Sequence, residues 1–488
     1  MERVSIYWDK AAQTYPARPP FAPSEIFPEY PYPLDEIDPG NRVYSMVRAA
    51  LAQLGLDGSN FGSKDWNPLG EFAKPGQRIV IKPNLVKHYH PLGKAGVEAM
   101  ITHASVLRPL IDYALKAVGK GGEVIIADTP LEKTDFARVL EWNGIASMLE
   151  SMKSRYGVEI PCRDLRSQRL TVDKADRARV TPLRGDPLGS VVSRLDRYSE
   201  FHRLDGEKQN YYTLGDHAVD HFDPEETAEG APNRFHGPNK HEYVICKTIL
   251  AADLVINVPK LKTHKKAGIT ATMKNFVGIA PNKESMPHHR PGAPPRGDAF
   301  PHPPPEAFVR QRRFRRNVAR IPLVGMAAFK LARFVIRNAL QIPPPKRMPI
   351  ESGDWHGNDT LWRTIVDLNK IAHYADLQGR LCREPQRKIF CLVDGIIAME
   401  GNGPMEGDPK PCGLIVAGRS PLAVDAACAN IMGFNPRRIP TIANSLALTD
   451  FPLGISSLDA IETFCAPDGH TPHFHFRPPD GWKDYVEL

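Results

Sequence analysis

Two short runs of β-branched residues, with one amphipathic segment between them, constrain the fold of this chain more than any other feature. Ile79-Val80-Ile81 follows a Pro-Gly pair, and Val124-Ile125-Ile126-Ala127 follows a Gly-Gly pair. Between them, from Thr102 to Val118, apolar residues recur at the spacing of a helix. A strand, a helix and a second strand of these lengths form a βαβ unit. The two strands are therefore predicted to be parallel, with a right-handed crossover.

Three further segments have the composition of buried strands. They run from Leu254 to Val258, from Ile389 to Val393 and from Leu414 to Ala417. The last one leads into Ser420-Pro421, an N-cap followed by proline at the first helical position, and then into a mostly apolar helix that ends near Gly433. Alternating strands and helices predict an α/β fold, a doubly wound and mostly parallel sheet with helices on both faces.

Proline is the unusual component of the composition and indicates where the chain departs from a simple sheet. The 47 prolines in 488 residues are about twice the average usage of roughly 5%. Residues 281–349 hold 14 of them and residues 16–33 hold 7. We predict four parts: a Pro-rich lead-in and N-terminal segment (1–75), the first part of the α/β core with a polar excursion over 163–242 (76–280), a Pro-rich basic insertion (281–353), and the second part of the core with a C-terminal tail (354–488).

The insertion also carries the positive charge of the protein. The chain has a net charge of +7, and residues 310–337 contain nine Lys and Arg residues and no acid. The segment 321–340 contains 14 apolar residues, but its central basic residues argue against a membrane-spanning helix. Two interpretations stay open: a basic amphipathic helix that binds an anionic membrane surface through 306–340, and a lid or dimer helix over the active site. No nucleic-acid module is recognisable, so no nucleic-acid partner is expected.

The cysteines indicate the compartment and exclude one class of cofactor. The seven cysteines form no CxxC pair, and the closest two are nine residues apart. We therefore expect no iron–sulfur cluster, and the dispersed cysteines are typical of a reducing compartment. The sequence begins without the apolar stretch of a secretory signal. A cytoplasmic location is expected, with membrane association through the insertion as an addition.

Polar and ionisable residues follow four of the predicted strands, at the ends where open parallel sheets bind ligands. The basic candidates and their neighbours are Lys82, Asn84, Asp128, Lys260, Lys262, His264, Lys274 and Asn275. Alternation along an extended chain would place Lys260, Lys262 and His264 on one side, where they could gather around a phosphate or carboxylate. Gly268 precedes a predicted helix from Ile269 to Val277, whose free N–H groups would add to anion binding. A solvated basic loop is the alternative interpretation.

The fourth strand end has the opposite charge. Asp394, Glu400 and Asn402 offer the oxygen ligands that suit magnesium, and neighbouring glycines allow a tight ligand-facing loop. An acidic, glycine-rich surface turn is the alternative. No dinucleotide fingerprint and no phosphate-binding P-loop are present in this part of the sequence.

These motifs together resemble one family. Lys82-Pro83-Asn84, the run from Pro259 to His264 continuing to Lys274-Asn275-Phe276-Val277-Gly278, and Asp394-Gly395 through Gly401-Asn402-Gly403-Pro404 to Val424-Asp425 are similar to the domain of unknown function family 362. The resemblance spans roughly residues 76–435. It implies little about chemistry, because the family is named for an unknown function. Some relatives carry a ferredoxin-like cluster module, and this chain lacks the cysteines for one.

The leading hypothesis is an enzyme that binds a small anionic, phosphorylated substrate together with a divalent metal, magnesium. Catalytic roles fall to His264, Lys262 and Asp128; substrate binding falls to Lys82, Asn84, Lys260, Lys274 and Asn275; and metal binding falls to Asp394, Glu400 and Asn402. Two alternatives stay open. One is a non-catalytic protein that binds an anionic ligand or a membrane surface, and the other is an enzyme that transfers protons on a hydroxy or keto acid. The sequence leaves the oligomeric state open.

Overall fold

The structure is a computed structural model that describes residues 1–32, 37–172, 178–206, 209–213, 231–306, 350–467 and 469–488. The strands are β1 (Glu2–Trp8), β2 (Arg78–Pro83), β3 (Glu123–Asp128), β4 (Cys162–Asp164), β5 (Gln168–Val172), β6 (Ala178–Pro182), β7 (Ser190–Arg194), β8 (His236–Gly237), β9 (Lys240–Cys246), β10 (Leu254–Val258), β11 (Lys260–His264), β12 (Gly268–Thr270), β13 (Lys388–Glu400), β14 (Asp408–Gly418) and β15 (Ile461–Ala466). The α-helices are α1 (Arg42–Gln53), α2 (Gly93–Met100), α3 (Ala104–Val118), α4 (Phe136–Trp142), α5 (Ile145–Tyr156), α6 (Lys247–Leu250), α7 (Thr272–Asn275), α8 (Leu361–Tyr374), α9 (Pro421–Met432) and α10 (Pro440–Ser445).

A large mixed sheet forms the centre of the molecule. Its strand order is β15-β1-β14-β13-β10-β2-β3-β4, with β11 and β12 attached beside β13. The strands from β13 through β10, β2 and β3 to β4 are parallel, whereas β14 is antiparallel to both of its neighbours. The predicted βαβ unit is confirmed as β2, α3 and β3, and all five predicted strand segments lie in this sheet. The fold is the predicted α/β class.

Both faces of the sheet are covered, as a doubly wound fold requires. In β2, Ile79 and Ile81 belong to one hydrophobic cluster with helices α1, α3 and α5. Val80, between them in sequence, belongs to the cluster on the opposite face, which contains α8 and α9. Successive side chains of a strand point to opposite faces, so this division follows from the apolar run itself. The strands are buried on both sides and provide a rigid base for the loops at their ends.

The connection from β10 to β11 carries the sheet beyond its carboxyl edge. Both strands lie parallel to β13, first at Leu254↔Lys388 and then, after Pro259, at Lys260↔Asp394. The Pro259 carbonyl accepts a hydrogen bond from Asp394 N–H at 2.9 Å, so the pairing continues past the proline. The lysine-rich segment is therefore a buried strand, and the solvated basic loop considered as an alternative is excluded.

The predicted helix from Ile269 to Val277 is wrong in its first half. Gly268 turns the chain with φ +79°, and Gly268–Thr270 pairs back on β11 as the antiparallel strand β12. Only Thr272–Asn275 is α-helical, followed by a 3₁₀ turn over Phe276–Ile279. The reason is hydrogen bonding: buried Asp425 accepts from Thr272 N–H at 2.6 Å and from Met273 N–H at 3.2 Å, so the helix starts there. A four-residue helix supplies no N-terminal anion site, and that part of the prediction is withdrawn.

The polar excursion contains short strands of its own. The strands β5 and β6 form a hairpin, and β7, β9 and β8 form a three-stranded sheet. The basic segment 307–349, with the predicted amphipathic helix and most of the proposed membrane-binding region, lies outside the described residues. Among the residues that are described, no helix is long and apolar enough to cross a membrane. All seven cysteines are free thiols.

Candidate functional site

A cavity of about 300 Å³ lies at the carboxyl ends of the central parallel strands. Asn84 reaches it from the end of β2, and Thr129 from the end of β3. His264 reaches it from the end of β11, and Asn402 from the loop after β13. The structure thus brings the four predicted strand ends together at one site. The volume is at the lower end of the range for small-molecule sites, about 300–1,000 Å³.

Lys82 and Asp128 form a buried ion pair beneath the cavity. Lys82 Nζ donates to Asp128 Oδ1 at 2.8 Å, and the two side chains are 0% and 4% exposed. Asp128 Oδ2 also accepts from Leu85 N–H at 2.8 Å. A Cβ atom at Gly278 would lie 2.5 Å from Lys82 Nζ and closer still to Asp128 Oδ1, so only glycine fits against the pair. Both residues are therefore held by each other, and the catalytic role predicted for Asp128 has no free carboxylate oxygen to support it.

Lys260 is neutralised in the same way, one strand further along the sheet. Its Nζ donates to Asp394 Oδ2 at 2.8 Å, with both side chains fully buried, and also contacts the Tyr15 hydroxyl. Tyr15 in turn donates to Asp394 Oδ1 at 2.6 Å. Neither Lys260 nor Asp394 lines the cavity. The predicted substrate contact of Lys260 is replaced by an internal ion pair that joins β11 to β13.

A chain of amide side chains holds Lys262 behind the cavity wall. Lys262 Nζ donates to Asn84 Oδ1 at 2.7 Å and to the Met100 carbonyl at 2.6 Å. Asn84 Nδ2 donates to Asn275 Oδ1 at 3.0 Å, and Asn275 Nδ2 donates to Asn257 Oδ1 at 2.7 Å. The predicted binding residues Asn84 and Asn275 do line the cavity, but these bonds use most of their capacity. They act mainly by positioning Lys262 and the short helix α7.

Two cavity lysines are paired with carboxylates at its rim. Lys265 Nζ contacts Glu406 Oε2 at 2.8 Å, and Lys266 Nζ contacts Asp354 Oδ1 at 3.1 Å. Together with Lys82 and Asp128, these pairs balance every carboxylate that lines the cavity. The charge that remains belongs to other lysines.

Three amines in and beside the cavity have no carboxylate partner among the described residues: Lys274 and Lys283 on its wall, and Lys262 behind Asn84. Lys283 Nζ donates to the Thr129 hydroxyl at 3.1 Å and the Val277 carbonyl at 3.0 Å, which are neutral groups. Lys274 is half-buried, and in the described parts of the chain its amine makes no hydrogen bond or ion pair.

The crowding of these amines lowers their basicity. Burial, and then the charges of Lys283 and Lys82, lower the pKa of Lys274 to about 7. Burial also lowers the pKa of Lys283 to about 8, and that of Lys262 falls well below its ordinary value because of burial and the charge of Lys274. Protonating these amines therefore costs the folded protein free energy, and a bound anion would lower that cost.

Two histidines of the cavity present opposite hydrogen-bonding groups. His264 Nδ1 accepts from the backbone N–H groups of Lys266 at 3.1 Å and Ala267 at 3.2 Å, so its proton is on Nε2. His288 Nδ1 lies 2.9 Å from the Met286 carbonyl, which can only accept, so its lone pair is on Nε2. Burial, with the charge of Lys274 next, lowers the pKa of His264 well below its usual range and that of His288 to about 3. His264 is thus a neutral donor, and His288 a neutral acceptor.

The three predicted metal ligands are not brought together. Asp394 and Glu400 are six residues apart on one strand, about 20 Å at the usual rise per residue. Glu400 is paired with Lys410 at 2.8 Å, and Asn402 donates to Asp480 at 2.7 Å. In the described ranges no three His, Cys, Asp or Glu residues are grouped as metal ligands. These residues do not fit a shared divalent cation.

Sequence reasoning missed Lys283 and His288. Both lie at the start of the Pro-rich segment, where the irregular sequence gives no periodic signal, and the His288-His289 pair resembled an ordinary loop. The sequence did contain one signal for Lys283, because Pro281-Asn282-Lys283 comes soon after the motif that contains Lys274. The structure shows that this stretch turns back over the ends of the strands and lines the cavity.

Comparisons with known proteins place these residues in one conserved-domain model and find one informative relative. The family model described as "Domain of unknown function (DUF362)" matches residues 79–181 and 208–430, which include every cavity lysine and histidine named above. The chain is also 23% identical over 376 residues to the "Thylakoid-associated protein sll1697" of Synechocystis sp. (strain ATCC 27184 / PCC 6803 / Kazusa). That alignment covers 77% of this chain and 69% of the relative. No solved structure matches the chain significantly.

Proposed function

Because the chain belongs to the DUF362 family, whose function is unknown, we propose its function from the chemistry of the cavity: it binds a small anionic molecule that carries a phosphate or carboxylate group. One observation supports this most directly. Lys274 and Lys283 line one cavity, Lys262 lies behind its wall against Asn84, and no carboxylate among the described residues pairs with these three amines. Buried charges are normally paired, so an unbalanced group of this kind is favourable only when a ligand supplies the opposite charge.

The remaining groups fit the same ligand. The Nε2–H of His264 and the Thr129 hydroxyl are neutral hydrogen-bonding groups on the cavity wall. Phosphate and carboxylate oxygens accept several hydrogen bonds at once, and bonds from charged amines are the stronger ones. The paired lysines Lys265 and Lys266 lie at the rim, where they would attract an anion without being required to hold it. The ligand that this site favours is a compact dianion or an organic molecule that ends in one.

The test is isothermal titration with sulfate and inorganic phosphate, using two lysine variants of the same cavity. Lys283→Met removes an unpaired amine, and we expect about a 10- to 100-fold loss of affinity, the value of one charge-assisted hydrogen bond. Lys265→Met is the matched control, because it removes a lysine whose charge Glu406 already balances. A small loss is expected there. Equal losses in both variants, or no binding by the wild type, would contradict the proposal.

A second candidate function is binding to an anionic membrane surface through residues 306–340. Two observations favour it: the nine basic residues between 310 and 337, and the description of a relative as thylakoid-associated. Each Lys or Arg near an anionic surface contributes about 1 kcal/mol, and the effect weakens with salt.

The membrane candidate is tested by co-sedimentation with phosphatidylglycerol vesicles and with neutral phosphatidylcholine vesicles. The intact protein should bind the anionic vesicles only, and binding should fall on deletion of 306–340. Substituting Arg310, Arg312 and Arg313 by Gln keeps the apolar residues of 321–340 and removes charge, so a partial loss is expected. If the intact protein stays in the supernatant at low salt, the membrane candidate is wrong.

A further inference from the structure

Lys274 differs from the other lysines in and beside the cavity in what its amine contacts. Lys265 and Lys266 are paired with carboxylates, and Lys283 donates to Thr129 and Val277. Lys262 is held by Asn84 and the Met100 carbonyl. Among the described residues no group holds Lys274 Nζ, although the side chain is half-buried at the cavity wall. An amine that is built into a cavity without a partner is available for a ligand.

The surroundings of Lys274 favour a neutral, nucleophilic amine over an ammonium group. The charged groups around it are Lys82, whose charge Asp128 balances, and the unbalanced Lys262 and Lys283. His264 and His288 respond electrostatically to Lys274 as well, and both are neutral. Cationic neighbours and burial both disfavour protonation, which is the known way in which enzymes activate a lysine for attack on carbonyl groups.

From this arrangement we infer that Lys274 forms an imine with the carbonyl group of the anionic ligand. The inference rests on the proposed function, because Lys283, on the wall of the same cavity, would hold the anionic end of the same molecule. It names the substrate class more closely: an aldehyde or ketone that also carries a carboxylate or phosphate. A ligand of this class places its carbonyl carbon beside Lys274 while its charge is bound by Lys283.

The step is balanced without any other reactant. Lys274 Nζ forms a bond to the carbonyl carbon, and the electron pair of the C=O π bond moves to oxygen. The two protons of the amine pass to that oxygen, which leaves as water when the C=N bond forms, so neither partner is oxidised or reduced. His288 Nε2 has the lone pair that can carry these protons, and His264 Nε2–H can donate a hydrogen bond to the oxygen as its negative charge develops.

The experiment is reductive trapping. The full-length protein is treated with sodium borohydride in the presence of pyruvate, dihydroxyacetone phosphate or acetone, digested, and mapped by mass spectrometry. We expect an adduct on Lys274 with at least one of the two anionic carbonyl compounds, none with acetone, and loss of the adduct when sulfate is present in excess. Lys274→Arg removes the nucleophilic amine and should lose the adduct, and its circular dichroism spectrum, compared with that of the wild type, checks that the fold is kept. An adduct that persists in this variant, or that forms on Lys283 instead, overturns the inference.

A second measurement does not depend on the choice of carbonyl compound. Brief labelling of the unliganded wild type with acetic anhydride at pH 7 should acetylate the half-buried Lys274 faster than the exposed Lys120. Slower labelling of Lys274 overturns the inference. Sulfate binding without an adduct from either anionic carbonyl overturns the imine and leaves the proposed function intact, whereas absence of sulfate binding overturns both.

Discussion

The buried ion pair between Lys82 and Asp128 is expected to stabilise the fold far more than an exposed pair of the same length on the same two strands. Lys82 and Asp128 lie at the carboxyl ends of β2 and β3, 2.8 Å apart and 0% and 4% exposed. Arg78 and Glu123 lie at the other ends of these strands, 2.7 Å apart but 34% and 37% exposed. The two pairs differ in side-chain type, and Glu123 also contacts Arg163 at 3.4 Å, but both join β2 to β3 at similar length, so burial is the main difference between them.

The expected magnitudes follow from that environment. Asp128→Asn leaves Lys82 buried without its counter-charge, next to Lys274 and Lys283, and removal of one partner of a buried pair costs about 3–5 kcal/mol. Glu123→Gln leaves Arg78 in contact with water, and exposed pairs contribute about 1 kcal/mol or less. In the double variant Lys82→Met with Asp128→Asn, neither member of the pair is left as an unpaired charge. Most of the loss caused by Asp128→Asn should therefore be recovered.

The assay is urea unfolding followed by circular dichroism, in a buffer free of sulfate and phosphate so that no anion replaces the missing carboxylate. The quantity compared is the free energy of unfolding of each variant relative to the wild type. The reasoning is refuted if Asp128→Asn and Glu123→Gln are destabilised equally, or if the double variant is less stable than Asp128→Asn alone. The first result would mean that burial does not set the strength of the pair, and the second that Lys82 is stabilised by something other than Asp128.

Three further predictions concern the same site. Gly278→Ala should lower the thermal unfolding temperature and weaken sulfate binding in titration, because the new methyl group would displace the Lys82–Asp128 pair. Gly58→Ala is the control and should change neither measurement appreciably, because a Cβ atom at Gly58 meets nothing within 4 Å. The free energy of unfolding should rise between pH 7 and pH 9, by up to about 1.4 kcal/mol per pH unit for each group involved. The cause is that the folded chain has lost protons from Lys274, whose pKa is lowered to about 7, and from Lys283, whereas the unfolded chain still holds them. Lys274→Met should make the rise less steep, and an unchanged slope would show that Lys274 does not cause it. Sulfate affinity measured with magnesium and with EDTA should be the same, since Asp394 and Glu400 are engaged in separate ion pairs, and a magnesium-dependent affinity would restore the metal prediction.

The general location of the site could be predicted from the sequence because it depends on local patterns. Apolar runs define the strands, parallel strands place their carboxyl ends at one edge, and the residues after each run are then known. Asn84, Asp128, His264 and Asn402 all lie where this reasoning places them. The same reasoning gave the α/β fold class, since strand and helix periods are visible in a single sequence.

The electrostatic roles could not be predicted, because they depend on register and on distant chain segments. Lys260 lies opposite Asp394 only because β11 continues along β13 beyond Pro259, and no local signal fixes that register. The pairing of Lys82 with Asp128 similarly follows from the adjacency of β2 and β3. Once these pairs are known, the excess charge is assigned to Lys262 and Lys274, which the sequence had suggested, and to Lys283, which it had not. One of them, Lys283, lies in a segment without regular periodicity.

The cavity is assembled from segments that are far apart in sequence, from Asn84 to Glu406, and this has a consequence for the life of the protein in the cell. Contacts of such long range form late in folding, so a ligand finds its site only when the chain is complete. Binding to the finished fold alone slows unfolding and leaves the folding rate unchanged. The supply of ligand would then set how long each molecule survives proteolysis, and a shortage would lower the amount of protein before any change in its synthesis.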